Sequence, residues 1–265
     1  MKYLYSNFKI LLFASLIWAI GCQPNTTPEP ESKLRVVVAI DATFIPMSFM
    51  NAENQLDGFE VDLIKEVTQE AGLEYKLVNV EWGGLFGGLI TGKFDLVISS
   101  VGIIEERKKR MAFSIPYIQS GAAVLVRNNM TDIKSLEDLE EQNATVGAQI
   151  NTTSHYFLEK YSGIKIKTFE KFGHALIDLA NKGVDAVVGD SVQANCYFRK
   201  KGLEGQARFV GSRMTSEFYG IVLRKEDKEL KNKIDTSLNQ LLKNGTISKL
   251  HKKWELGDLA TVPDI

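Results

Sequence analysis

Cysteine and histidine are scarce in this chain, which has two cysteines and three histidines among its 265 residues. Two cysteines allow at most one disulfide, so the chain is not one of the small proteins that disulfides hold together. The histidines, His155, His174 and His251, have neither the spacing of a zinc site nor a place in a Ser-His-Asp arrangement. The sequence also lacks a phosphate-binding loop. We therefore expect no metal and no cofactor.

The chain also lacks an excess of charge of either sign. It carries 32 Lys and Arg against 33 Asp and Glu, which gives a formal net charge of −1. This balance gives no reason to expect a nucleic-acid partner, because surfaces that bind nucleic acids are strongly basic. The length of 265 residues can hold one large domain or two of ordinary size.

The N-terminal apolar run, Ile10–Ile20, is too short to span a bilayer as a mature helix. Two lysines flank it on its N-terminal side and Cys22 follows it closely, so the pattern predicts a signal peptide over residues 1–21. Residues 22–33 contain three prolines and no large apolar side chain, which is typical of a flexible tether. The folded part is predicted to begin near Leu34.

The residues around the predicted cleavage site, Ala19-Ile-Gly-Cys22, resemble a bacterial lipobox. The resemblance implies that Cys22 is lipidated and becomes the N-terminus of a membrane-anchored lipoprotein. The lipobox pattern prefers leucine where Ala19 stands, and the alternative is a plain signal peptide with an incidental cysteine. If Cys22 carries lipid, Cys196 has no partner, so we expect no intrachain disulfide.

Strand patterns and helix patterns alternate along the rest of the chain. Arg35–Ile40 is a mostly apolar, β-branched run, as expected for a buried parallel strand. Apolar residues then recur at helical spacing from Phe59 to Val67, with Glu60 among the charged residues between them. The same alternation continues beyond Asp185–Gly189, another predicted strand. This order predicts α/β sheets.

A segment from Asp95 to Tyr117 carries the features of a site for a small anion. Its predicted strand, Leu96–Ser99, ends in hydroxyl residues and is followed by Arg107. The planar fork of arginine matches a carboxylate through two parallel hydrogen bonds. The alternative is that the charged residues around Arg107 form only a solvated helix face, and spacing alone does not decide between the two.

Eight short motifs follow one another in a fixed order from about Leu34 to Glu255. They are Asp41…Phe44-x-Pro46, Gly58-Phe-Glu-Val-Asp-Leu63, Asp95-Leu96, Glu106-Arg107, Phe113-Ser-x-Pro-Tyr117, Val146-Gly147…Thr152-Thr153, Asp185-Ala186-Val…Asp190 and Gly245…Lys253-Trp254. Each motif alone is a weak signal, but together the chain resembles the family 3 extracellular solute-binding proteins, the amino-acid receptors of ABC importers.

The resemblance implies a periplasmic-binding-protein type II-like fold, with two α/β lobes joined by a two-strand hinge and a ligand cleft between them. Residues 34–126 together with residues 218–265 are expected to form lobe 1, and residues 127–217 lobe 2. The ligand is expected at the carboxyl ends of the strands, where open α/β sheets place their binding loops.

The resemblance also implies partners for the two charges of a free amino acid, which need pairing because a buried unpaired charge is costly. Arg107 is expected to hold the carboxylate, with Thr153 at the start of a predicted helix. Asp190 is expected to hold the ammonium, helped by backbone carbonyls near Ser99 and Ser100. The alternatives are an ordinary helix-start residue for Thr153 and a helix N-cap for Asp190.

Three positions depart from the pattern of the family. Gly102 and Ile104 stand where threonine is common, and the hydroxyl at the first of these would contact the carboxylate. Asn151 stands where glycine is usual. Either Ser100 compensates for the missing hydroxyl, or the carboxylate relies more on Arg107 and on backbone N–H groups.

Four further residues match positions of the side-chain pocket: Asp41, Phe44, Trp82 and Gln149. Phe44 and Trp82 are expected to sandwich the ligand, since aromatic rings stack on planar or cationic groups; the alternative is core packing. Asp41 follows a predicted strand, and an acid there suits a ligand with a donor at its tip. Gln149 can both donate and accept, so it discriminates little between ligands. The pocket therefore favours a polar or basic L-amino acid.

The predicted function is that of the substrate-binding component of an ABC importer. It captures a free amino acid and delivers it to a membrane permease, as a monomer in the periplasm or at the cell surface, anchored through its N-terminal lipid. One alternative is a periplasmic, dehydratase-like enzyme on the same fold, for which Asp41 and Asp190 are the acids in the cleft. Another is a sensor or adhesin that has lost transport. We expect no catalytic residue.

Overall fold

The structure is a computed structural model that describes residues 34–200, 203–211 and 213–264. The predicted signal peptide, the lipidation site Cys22 and the tether all lie outside the described residues. Two five-stranded sheets and a two-stranded ribbon organise the described part. In that part, no helix is both long and apolar enough to cross a membrane.

The first sheet has a parallel centre that contains the predicted strand Arg35–Ile40. Its strand order is Glu74–Asn79, Arg35–Ile40, Leu96–Val97, Val222–Leu223 and Ala112–Phe113. The first three strands are parallel, and Val222–Leu223 is antiparallel to both of its neighbours. Because parallel strands end at the same edge of a sheet, Asp41 and Ser99 are neighbours, and the Asp41 N–H donates to Ser99 Oγ at 3.1 Å.

The second sheet repeats this arrangement. Its strand order is Lys165–Phe169, Thr145–Gln149, Ala186–Asp190, Ala122–Arg127 and Ala207–Val210. The first three strands are parallel, and Ala122–Arg127 runs antiparallel to both of its neighbours. Gln149 and Asp190 therefore end two adjacent parallel strands at one edge of the second sheet.

A short antiparallel ribbon pairs Ile118–Ser120 with Glu217–Tyr219. Each of its strands leads from one sheet to the other, so the chain crosses here twice. The strand Ala122–Arg127 belongs to the second sheet, although residues up to 126 are predicted in lobe 1. The lobe boundaries themselves stay a prediction.

Helices cover the faces of both sheets. They are Phe59–Glu70, Trp82–Ile90, Glu105–Lys108, Leu136–Glu141, Thr153–Leu158, Phe172–Ala180, Ser191–Lys200, Lys228–Lys243 and Thr246–Lys253, with 3-10 turns at Leu203–Gly205 and Gly257–Leu259. A third, small antiparallel sheet consists of Thr43–Phe44, Ser48–Met50 and Leu56–Asp57. Phe59, Leu63, Ile64 and Val67 are fully buried against the first sheet, as their helical spacing predicts.

Candidate functional site

A cavity lies among the strand ends of the two large sheets. It contains about 570 Å³ of space that no atom fills, its open mouth included. Nine of the ten predicted ligand-binding residues line it: Asp41, Phe44, Trp82, Ser99, Ser100, Arg107, Gln149, Thr153 and Asp190.

Arg107 is buried in the wall of this cavity, with 6% of its surface exposed, while its neighbour Lys108 is exposed. Its Nη1 donates to the Gly102 carbonyl oxygen and its Nη2 to the Asn151 carbonyl oxygen, both at 2.9 Å. The guanidinium also lies 5.4 Å from the centre of the Trp82 ring. Arg107 is therefore not part of a solvated helix face.

The charge of Arg107 has no counter-ion among the described residues, because no carboxylate there lies within 4 Å of the guanidinium. Burial lowers the pKa of Arg107 to about 10, and the nearby Tyr156 and Glu217 oppose this effect. The side chain is still a cation at neutral pH. A buried cation held by neutral carbonyl groups at a cavity wall is suited to pair with a small anion.

Gly102, the tenth predicted residue, lies directly beside the cavity. A Cβ built on it would come within 2.6 Å of Thr153 Cγ2, which is closer than real Cβ atoms approach other carbons. The methyl group of Thr153 therefore occupies the space that a side chain at position 102 would need. This packing gives a physical reason for glycine at this departure from the family pattern.

Thr153 begins a short helix, Thr153–Leu158, but the N-cap of that helix is Thr152. The Thr152 hydroxyl accepts from the His155 N–H at 3.2 Å. Before this cap, Asn151 adopts the left-handed conformation with φ +60°. Asparagine tolerates this conformation better than most residues, so it can stand where glycine is usual.

Asp190 caps a helix, which is one of the two roles that were open for it, and its contact with a ligand ammonium stays a prediction. Its Oδ1 accepts from the N–H groups of Val192 at 2.8 Å and Gln193 at 3.2 Å, as an N-cap residue does. Its Oδ2 accepts from the Ser120 hydroxyl at 2.9 Å and from the Tyr219 hydroxyl. Burial raises the pKa of Asp190 to about 6. The carboxylate is thus mostly ionised at neutral pH. It lines the cavity from the second sheet, whereas Arg107 follows a strand of the first sheet.

Asp41 ends its strand at the cavity, and three donors of the protein already reach its carboxylate. Oδ1 accepts from the Thr43 N–H at 2.9 Å and the Thr43 hydroxyl at 2.6 Å. Oδ2 accepts from the Trp82 N–H at 2.6 Å, at the start of helix Trp82–Ile90. This acid therefore orders the loop and the helix start, whatever else it contacts.

The predicted aromatic residues also have partners within the protein. Trp82 Nε1 donates to the Ile150 carbonyl oxygen at 3.2 Å, and the Trp82 ring packs edge-on against Phe86 at 5.2 Å. Phe44 is half-buried beside the core of the first sheet. The stacking of a ligand between Phe44 and Trp82 stays a prediction.

Sequence reasoning missed several residues that line the cavity, chiefly Gln193 and Tyr219. Gln193 is 6% exposed, and its Nε2 lies 3.5 Å from the Thr43 carbonyl oxygen. It stands three residues after Asp190 on the first turn of helix Ser191–Lys200. Helical spacing from Asp190 could have found it. Tyr219, in the crossing ribbon, carried no comparable signal.

Glu60, a residue between the helical apolar positions of the sequence, is completely buried behind the cavity wall. Its Oε1 accepts from the Ser100 N–H at 2.5 Å, the Ser100 hydroxyl at 3.0 Å and the Tyr117 hydroxyl at 2.5 Å. Its Oε2 has no hydrogen-bond partner among the described residues. Burial raises the pKa of Glu60 to about 7, and these hydrogen bonds oppose the shift.

Known proteins are similar to this chain over most of its length. The sequence model of the bacterial extracellular solute-binding proteins, family 3, matches residues 36–258. The probable amino-acid-binding protein YxeM of Bacillus subtilis strain 168 is 31% identical over 94% of this chain and 94% of its own length. The L-cystine-binding protein TcyJ of Escherichia coli strain K12 is 28% identical over 83% of this chain and 82% of its own.

A solved structure of an ancestral arginine-binding protein bound to arginine superposes with a TM-score of 0.78 and 36% identity. The match covers 83% of this chain and 97% of that protein. These likenesses confirm the predicted α/β fold of the periplasmic-binding-protein type II class. They also confirm the resemblance to the solute-binding family, and the named relatives are binding proteins.

Proposed function

The chain belongs to the bacterial extracellular solute-binding proteins of family 3, and on this premise we propose the function of its cavity. The cavity captures a free polar or basic L-amino acid, and the loaded protein delivers it to the permease of an ABC importer. The protein acts as a binding protein and not as an enzyme. Relatives named for cystine and arginine support this class of ligand.

Arg107 carries the proposal, because it is a buried cation that has no carboxylate partner among the described residues. An amino-acid carboxylate would supply the missing counter-ion. Its two oxygens match the fork of the guanidinium, and a charge-assisted bond of this kind is roughly twice as strong as a neutral one. The two carbonyl groups that accept from Arg107 orient the fork without neutralising it.

Asp190 is the proposed partner of the ligand ammonium. Its carboxylate ends a strand of the second sheet, whereas Arg107 follows a strand of the first sheet. A zwitterion between them would connect the two lobes through opposite charges. Such a ligand favours closure of the lobes only if it binds the closed form more tightly than the open form.

The amide and aromatic side chains that line the cavity favour a polar side chain on the ligand. Gln149 is buried, and its Nε2 donates to the Glu170 carbonyl oxygen at 3.0 Å, which leaves its amide oxygen free to accept. Gln193 adds a second nearly buried amide. Phe44 and Trp82 supply aromatic surface at the same cavity. Two amide acceptors and two rings suit a ligand whose tip carries N–H donors.

The cellular setting is part of the proposal. We expect a protein of the periplasm or the cell surface, held at the membrane through lipid on Cys22, and acting as a monomer. The lipidation motif is the support for the anchor, and a plain signal peptide is the alternative. Mass spectrometry of the mature protein would show the lipid on Cys22, or else an unmodified N-terminus.

A thermal-shift panel of the twenty L-amino acids tests the function. The protein from Lys33 onward is first unfolded and refolded, in order to remove any amino acid carried over from expression. A ligand at about one hundred times its dissociation constant adds roughly 2.7 kcal/mol to the free energy of unfolding. We expect a clear rise in the melting temperature with one or a few polar or basic amino acids. No rise with any of the twenty would contradict the proposal.

A further inference from the structure

Ser100 occupies a conformation that side chains rarely adopt. Its φ is +48°, in the left-handed region, and it lines the cavity between Ser99 and the loop that leads to Arg107. Residues other than glycine, asparagine and aspartate seldom enter this region without support from their surroundings. Something near Ser100 must therefore stabilise its conformation.

The Glu60 carboxylate is in contact with both donors of Ser100. The backbone N–H and the side-chain hydroxyl of Ser100 donate to the same oxygen, Glu60 Oε1. Glu60 belongs to helix Phe59–Glu70, forty residues earlier in the chain, and it is completely buried. The Tyr117 hydroxyl donates to this oxygen as well and so orients the carboxylate.

We infer that Glu60 is a positioning residue of the amino-acid cavity, which holds Ser100 in its left-handed conformation and accepts the hydrogen bond that the Ser100 hydroxyl donates. The Ser100 hydroxyl oxygen then has only lone pairs to offer. It can accept from an ammonium, but it cannot donate to a carboxylate, so it does not replace the hydroxyl that is missing at Gly102. The part of this inference that concerns affinity rests on the proposed function; the part that concerns the Ser100 conformation does not.

Two substitutions of Glu60 separate positioning from simple support of the core. Glu60→Gln keeps an oxygen that can accept from Ser100. Glu60→Met fills a similar volume but accepts nothing, and replacing a buried charged group by an apolar side chain of similar size is often tolerated by the fold. Circular dichroism and the melting temperature establish that both variants fold.

Amide hydrogen exchange of the protein without amino acid is the first measurement. In Glu60→Met we expect exchange at residues 100–102 to rise by about tenfold or more, because the Ser100 N–H loses its acceptor. Glu60→Gln should stay within about threefold of the original protein. The amides of helix Phe59–Glu70 should be unchanged in both. Unchanged exchange at residues 100–102, or an equal rise throughout the helix, would overturn the inference.

The affinity for L-arginine is the second measurement, made in three backgrounds at position 100. Glycine adopts the left-handed conformation without strain, whereas alanine does not. We expect Glu60→Met to weaken L-arginine binding about tenfold with Ser100 and with Ser100→Ala, but less than about threefold with Ser100→Gly. Equal losses in the three backgrounds would overturn the inference. If L-arginine does not bind the original protein, the choice of ligand fails, and the exchange result alone decides the role of Glu60.

Discussion

Among single residues, Arg107 and Glu60 show which properties of a side chain the sequence can predict and which it cannot. The position of Arg107 after a strand and two serines, together with the family motifs, predicted an arginine at the ligand cleft, and the structure places it in the cavity wall with 6% of its surface exposed. Its contact with the Asn151 carbonyl oxygen could not be predicted, because Asn151 lies 44 residues away in the chain. Glu60 looked like one of the charged residues on a helix, yet it is completely buried. Periodicity does not show a buried acid whose partners are distant in sequence.

Replacing Arg107 with methionine should remove amino-acid binding without harming the fold. Loss of one partner from a buried, hydrogen-bonded charge pair costs about 2–5 kcal/mol of binding free energy. The melting temperature without amino acid should not fall, because the substitution removes a buried charge that lacks a counter-ion. Titration calorimetry measures the affinity, and Arg110→Met, at an exposed arginine three residues further on, is the matched control. Retained affinity in Arg107→Met would contradict the carboxylate role.

Glu60 should make stability depend on pH. Its pKa is about 7 in the folded protein against an ordinary value of 4.5. Between these values the folded protein holds a proton that the unfolded chain releases, so the free energy of unfolding falls as the pH rises from 4.5 to about 7. The fall should amount to roughly 3 kcal/mol and should be absent in Glu60→Gln.

Urea denaturation of both proteins at pH 5 and at pH 8 measures this difference. The Tyr117 hydroxyl donates a hydrogen bond to Glu60. Asp190, whose pKa is raised to about 6, titrates in the same pH range as Glu60. Both residues are present in the two proteins, so their contribution cancels when the two pH dependences are subtracted. The same pH dependence in both proteins would show that Glu60 does not titrate in this window.

Among the helices and strands, the predicted strand ends were the most useful for locating residues of the cavity. The strand Arg35–Ile40 was predicted with its observed bounds, and Asp41 lies at its end. The strand predicted as Leu96–Ser99 is shorter, Leu96–Val97. It ends early because Ser100 turns into the left-handed conformation and bonds to Glu60 instead of continuing the ladder. Contacts from another element therefore override the local preference for a strand.

Packing between elements also sets the residue at position 102. Gly102→Thr gives this chain the residue that is common in the family, but it should destabilise the fold by roughly 1–3 kcal/mol and weaken amino-acid binding, because the new Cβ meets Thr153 Cγ2. Combining it with Thr153→Ser, which removes that methyl group, should recover part of the loss. Gly87→Thr is the control, since nothing lies within 4 Å of a Cβ there. Stronger binding by Gly102→Thr alone would contradict the packing account.

At the level of the whole molecule, several contacts join parts of the chain that belong to the two different predicted lobes. Trp82 reaches the Ile150 carbonyl oxygen, and the Tyr197 hydroxyl donates to the Thr43 carbonyl oxygen at 3.2 Å. An ion pair between Lys171 Nζ and Glu81 Oε1, at 2.7 Å, adds to them at the exposed rim. The sequence predicted the two sheets but none of these contacts, because each joins residues that are far apart in the chain.

Tyr197→Phe tests whether these contacts contribute to ligand capture. Tyr197 does not line the amino-acid cavity, so the variant removes one contact between the predicted lobes and leaves the ligand contacts in place. Loss of one hydrogen bond should weaken amino-acid binding by about 0.5–1.5 kcal/mol, mainly through faster dissociation. Stopped-flow fluorescence measures that rate. Tyr161→Phe is the control, since the Tyr161 hydroxyl contacts Glu137 of the same predicted lobe. Equal dissociation rates in the two variants would contradict the expectation.

The role proposed for Arg107 is to bind the carboxylate of a free amino acid. Titration calorimetry with the amino acid that gives the largest shift in the panel, and then with its decarboxylated analogue, tests it most directly. We predict that the analogue binds at least about a hundredfold more weakly, since Arg107 is left buried without its counter-ion. Equal affinity for the two compounds would show that the cavity does not recognise the carboxylate and would contradict the assignment of Arg107.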